Sequence, residues 1–185
     1  MNRKQFAEEM SLIDGSFNKN RLVKIGVELS KAKLISSNGH GLGVSGFSFT
    51  DAAKFLTATI GANSVAKSSN SVILYGVARA ETGSICGIKS KYKRWTFGKA
   101  LTAILRNQTA SSKVFEIELV KVSKKDDYCR AEIKYRLDSG KIETAIFTHI
   151  NNIEQPKCVT KSVLCGSVVE EISNILHKDI EDDWS

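Results

Sequence analysis

Residues 38–55 read NGHGLGVSGFSFTDAAKF, and the rest of the chain is organised around them. Gly39, Gly41, Gly43 and Gly46 crowd the first half, a density that interrupts any regular element and marks a loop. From Thr50 the pattern changes. Ala52, Ala53, Leu56, Thr59 and Ile60 recur on one helical face, Thr50 is placed to cap the start, and Gly61 stops the run. Asp51 sits in the first turn, where the positive end of the helix dipole favours a carboxylate. The stretch therefore predicts a glycine-rich loop running into one long helix.

Working outward, Phe6, Met10 and Ile13 space a short helix over Asn2–Leu12 that ends at Asp14-Gly15. Arg21–Ile35 alternates loosely and reads as one or two strands. Downstream, Ser71–Ala80 is apolar and β-branched, and Ile85–Trp95 alternates; both read as strands. Val114–Val122, Tyr128–Leu137 and Ile142–Ile150 are clearer strands, joined by the short connections SKKDD and DSG into an antiparallel meander. Ser167–Ile180 is an amphipathic helix with Val168, Ile172, Ile175 and Leu176 inward. The predicted class is α+β: an antiparallel sheet around a long central helix. The expected division is an N-terminal helical extension over 1–20, a main domain over 21–152, and a linker, helix and acidic tail over 153–185.

At 185 residues and 20.3 kDa, with 42% hydrophobic and 25% charged residues, the chain is long enough to bury one core without disulfide or metal staples. Its best apolar run, Val72–Ala78, is far short of the roughly 18 residues of a membrane span. Glu8 and Glu9 stand where a secretory leader would be apolar, so a cytoplasmic protein is expected. Cys86, Cys129, Cys158 and Cys165 form no C-x-x-C pair, and His149 and His177 lack metal-ligand spacing; reduced thiols and no metal are the expectation. The net charge is +7, and four acids sit in the last seven residues, so the body of the chain is more basic than the total. Such a body favours anionic partners: nucleic acid, a phosphate-rich cofactor, an acidic carrier protein or a membrane surface.

A central helix after a glycine-rich loop, followed by a meander, resembles the order of a hot-dog fold. More specifically, Asn38–Phe55 is similar to the glycine-histidine stretch of FcoT-type long-chain fatty-acyl-CoA thioesterases. SKYKRWTFGKALTA, Ser90–Ala103, resembles their basic-aromatic strand. The resemblance spans roughly residues 22–150. It implies a homodimer or higher homo-oligomer with sites at the subunit interface, acting on acyl-CoA or acyl carrier protein. Coenzyme A or phosphopantetheine would be part of the substrate, with no separate cofactor.

On that reading His40 and Asp51 are the catalytic candidates, as base, water holder or substrate-orienting group. The backbone amides of Gly43, Gly46 and Thr50, near the helix start, are the oxyanion donors. Phe55 and Leu56 would line the acyl pocket. Lys89, Lys91, Lys93, Arg94 and Lys99, with no acid between Lys89 and Lys99, would hold the phosphate end; their bland role is that of lysines guarding an edge strand. Two alternatives stand beside hydrolysis. Gly41 and Leu42 occupy positions where the family pattern has an aromatic and an asparagine, which fits a hot-dog shell that has lost catalysis and acts as an interaction module. Bases interleaved with Tyr92 and Trp95 suit a single-strand nucleic-acid face, against which stand the 8% aromatic content and the absence of an RRM, KH or helix-turn-helix signature.

Overall fold

The computed structural model describes residues 1–13, 15, 17–36, 46–80, 84–89, 94–122, 129–149 and 159–182. Helices come first: α1 (Arg3–Ile13), α2 (Lys19–Lys31), α3 (Phe49–Gly61), a 3-10 turn at Val65–Lys67, and α4 (Ser68–Gly76). Short strands β1 (Arg79–Ala80), β2 (Ser84–Ile85), β3 (Ile88–Lys89) and β4 (Trp95–Thr96) lead into α5 (Phe97–Leu105) and α6 (Gln108–Ser111). The meander β5 (Val114–Val122), β6 (Cys129–Arg136) and β7 (Ile142–His149) follows, then β8 (Val159–Cys165) and α7 (Gly166–Asp182).

The class is α+β, as the sequence predicts. Its main sheet is antiparallel in the order β4-β1-β7-β6-β5-β8, and β2-β3 form a separate hairpin. That hairpin turns through Cys86 (φ 51°) and Gly87 (φ 84°), the pair of left-handed residues that a two-residue turn requires. The sheet's inner face buries Ile117, Leu119, Cys129, Ala131, Ile133, Phe147 and Leu164 against helices. Its other face carries Glu116, Glu118, Arg130, Lys134, Ile146, Lys161 and Val163. One hydrophobic core joins Phe6 and Met10 of α1, Phe55 and Leu56 of α3, Phe147 of β7, and Ile172 and Leu176 of α7.

The predicted helices at 2–12, 50–61 and 167–180 and the three meander strands are present with shifts of a few residues at their ends. Four elements differ. Arg21–Ile35 is mostly helix α2 instead of strand, because Leu22, Ile25, Gly26 and Leu29, at helical spacing, are the residues that bury. Asn18 caps it, its side chain accepting from the Arg21 amide at 3.0 Å. Ser71–Ala80 is mostly α4, whose buried positions Ser68, Ser71, Val72 and Tyr75 also follow the helical period. The region 85–95 holds two-residue strands instead of one long one. Lys99 lies on helix α5, whose cap Thr96 accepts from the Lys99 amide at 3.3 Å, and not on a strand with Lys89. β8, unpredicted, falls within the segment expected to link the meander to the last helix. The strand expected before the central helix is thus a helix, and α3 packs chiefly among α4, α5 and α2, touching the sheet at β5 and β8.

Candidate functional site

The start of α3 is built around Asp51, which is 4% exposed. The cap is Ser48, with Thr50 exposed inside the first turn. Ser48 Oγ accepts from the Asp51 amide at 3.1 Å, and the Asp51 carboxylate accepts from the Ser48 amide at 3.1 Å, a reciprocal capping box. The same carboxylate accepts from Ser48 Oγ at 2.9 Å, Ser36 Oγ at 2.9 Å and the Ser36 amide at 3.2 Å. Both its oxygens are engaged, and they tie the segment after α2 to the start of α3. Lys54 strengthens that tie by donating to the Leu34 carbonyl at 2.5 Å.

His40 and Gly43 lie outside the described residues. Gly46 is exposed, and among the described residues a Cβ there would meet the Met1 carbonyl oxygen, at 3.8 Å. Phe55 and Leu56, expected to line an acyl pocket, are fully buried; Phe55 meets Phe6 edge-on at 5.4 Å. An apolar cleft of about 240 Å³ opens elsewhere, between α4 and the end of β7, walled by Ile73, Leu74, Val77 and His149. None of the candidate site residues drawn from the sequence lines it. Beneath it, Cys129 Sγ donates to the Leu74 carbonyl at 3.3 Å, and burial pushes that thiol up to about 12. Among the described residues, no group of histidines, cysteines and carboxylates could hold a metal. No described helix is long and apolar enough to cross a membrane.

Of the basic cluster, Lys89 is exposed at the end of β3, Arg94 is exposed just before β4, and Lys99 projects from the first turn of α5; Lys91 and Lys93 lie outside the described residues. The charge they belong to is broader. Residues 1–113 hold 17 of the 27 lysines and arginines but 6 of the 20 acids. Of those six, Glu8 is paired with Lys19 at 3.0 Å, Glu28 with Lys31 at 3.1 Å, and Asp51 is buried in its cap. Arg3 and Arg21 are also structural: Arg21 donates to the Ala62 carbonyl at 2.6 Å, neutralising the negative end of α3. Exposed Lys24, Lys33, Lys67, Arg79, Lys89 and Lys99 are among those that remain, none with a carboxylate within salt-bridge distance among the described residues. The 3-10 turn that ends in Lys67 packs against α2, which carries Lys24.

The sheet is different, because its charges cancel locally. Lys134 meets Glu116 at 2.7 Å, Lys161 meets Glu118 at 2.8 Å, Arg130 meets Glu132 at 2.5 Å, and Lys141 meets Glu143 at 3.6 Å. Lys24, Lys33, Lys67 and Arg79 were absent from the sequence-derived site. A count of charge by position would have found them, whereas the total of +7 averages a basic half with an acidic one.

No protein-family model matches the chain, and neither does any curated protein or solved structure.

Proposed function

We propose that this protein binds nucleic acid through the cationic surface of its helical half. The observation that carries the reading is the segregation of charge: the first 113 residues hold 17 bases against 6 acids, and three of those acids are already paired or buried. Unpaired lysines at a surface release condensed counterions when they meet phosphates, so they add affinity without base readout. Lys134, Lys161 and Arg130 of the sheet, each beside a carboxylate, add little. The test is fluorescence anisotropy with duplex and single-stranded oligonucleotides across about 50 to 200 mM salt. Affinity is expected to fall steeply with salt. Lys24→Glu with Lys67→Glu should weaken binding about tenfold or more and flatten the salt dependence, while Lys141→Glu on the sheet leaves both unchanged. Absent binding at the low-salt end, or equal losses in both variants, sinks the reading.

A second reading, a hot-dog acyl-thioesterase acting on acyl-CoA or acyl carrier protein, rests on the sequence resemblance and on α3 following the glycine-histidine stretch. The apolar cleft at Ile73, Leu74 and Val77 would serve an acyl chain better than the filled surroundings of Phe55 and Leu56. With Asp51 engaged by two serines, His40 would carry the chemistry. A series of acyl-CoAs of increasing length, followed by thermal shift and thiol release, decides it. Stabilisation with thiol release supports this reading, and neither signal removes the acyl-CoA form of it.

A further inference from the structure

β8 is the last strand of the main sheet and pairs with β5 alone. Its seven residues run in unbroken register, from Val159 opposite Val122 to Cys165 opposite Glu116. The outer edge therefore offers a continuous row of backbone N–H and C=O groups with no partner strand among the described residues. Sheet edges are normally blunted by shortness, proline, a bulge or lysines. The opposite edge is short, because β4 has two residues. β8 is long and contains neither proline nor bulge, and its one lysine, Lys161, is drawn back onto Glu118 of β5 at 2.8 Å. Val159 and Val163 stand 45% and 56% exposed beside it.

We propose that β8 pairs antiparallel with β8 of a second copy of this chain, about a two-fold axis through Ser162, so that the two sheets become one. On that axis Ser162 faces itself, Lys161 faces Val163, Thr160 faces Leu164 and Val159 faces Cys165. Each lysine stem covers an exposed valine, and no like charges are opposed. An in-register parallel pairing would instead set Lys161 beside Lys161. A second copy is the occupant because, among the described residues, β8 is the one long strand at a sheet edge and its sequence is complementary to itself in this register. The two-residue β4 edge cannot receive seven residues, so pairing closes at two copies and does not propagate into a filament. The proposal is independent of nucleic-acid binding.

Analytical ultracentrifugation of the full chain over a range of concentrations tests it. The wild type should sediment as a dimer in equilibrium with monomer. Val163→Lys sets a cation opposite Lys161 twice across the axis, and should weaken the dimer about tenfold or more. The substitution is benign within one chain, since position 163 is exposed and lies across from Glu118. Adding Lys161→Glu makes the facing pairs opposite in sign and should restore the dimer. Hydrogen exchange on the unaltered protein supplies a readout that needs no variant: the alternate amides of Val159–Cys165 that face away from β5 should gain protection on dimerisation. A wild type that stays monomeric, a dimer that ignores Val163→Lys, or a dimer without added protection in β8 overturns the proposal. Failure of the double variant to recover overturns the Ser162 register.

Discussion

Asp51 accepts four hydrogen bonds from two serines while almost wholly buried, so its carboxylate holds two segments together that are far apart in sequence. Asp51→Ala leaves the Ser36 and Ser48 donors without their acceptor and removes half of the capping box. The expected cost is about 2–3 kcal/mol, or a melting temperature lower by about 5–10 °C in thermal denaturation. The buried thiols make a second prediction. Burial raises Cys86 and Cys129 from 9.0 to about 12, and burial, with Glu143 beside it, raises Tyr135 from 10.0 to about 12. Above the unfolded values the denatured chain releases these protons while the native chain keeps them. Their contribution is therefore intact below pH 9.0 and is lost progressively between 9.0 and about 12, at about 1.4 kcal/mol per pH unit for each fully buried group. Urea denaturation at pH 8, 9 and 10 should show stability falling with pH; a flat or rising profile would contradict the burial of these groups. The sequence marked Asp51 for a helix start correctly, because that preference is local. Its serine partners were invisible, since Ser36 reaches it only through the fold.

Helix α2 ends in a way that the backbone makes explicit. Lys33 is left-handed at φ 56°, the Leu34 amide donates to the Leu29 carbonyl at 2.9 Å, and the Lys33 amide donates to Ser30 at 3.0 Å, a Schellman-type stop. A lysine there carries a Cβ penalty that glycine lacks. Lys33→Gly should raise stability by about 1 kcal/mol, read as a higher urea midpoint with an unchanged slope. If residues 21–35 were extended, the same change would lower it. The strand reading of this segment failed for a definite reason: Val27 and Leu34 add apolar positions that imitate alternation, while the buried set Leu22, Ile25 and Leu29 obeys the helical period. α4 misled more thoroughly. It buries Ser68 and Ser71 beside Val72 and Tyr75 and turns Ile73, with Val77 at its cap, outward, so its apolar residues only partly report its inner face. A helix with that mixed polarity has a nearly featureless pattern and reads as an apolar strand.

Across the whole molecule the two kinds of surface are separated by architecture. Among the described residues, exposed Lys24, Lys33, Lys67, Lys89 and Lys99 have no carboxylate within salt-bridge distance, whereas Lys134 and Lys161 of the sheet pair across strands with Glu116 and Glu118. Salt dependence is the signature expected of the first surface, and dimerisation through β8 would place two copies of it on one particle, raising the effective concentration of the second contact. The sequence alone determined the α+β class, the meander, the first, central and last helices, and the excess of basic residues. Each of these is written in local periodicity, turn chemistry or composition, which need no distant partner. Tertiary structure decided the rest. Packing of one face chose helix over strand at 19–31 and 68–76, and Ser36 with Ser48 took up the carboxylate of Asp51. Ion pairs across the sheet removed Lys134 and Lys161 from the free set and left lysines of the helical half such as Lys24 and Lys67, because which charges are neutralised depends on distances that only the folded chain creates.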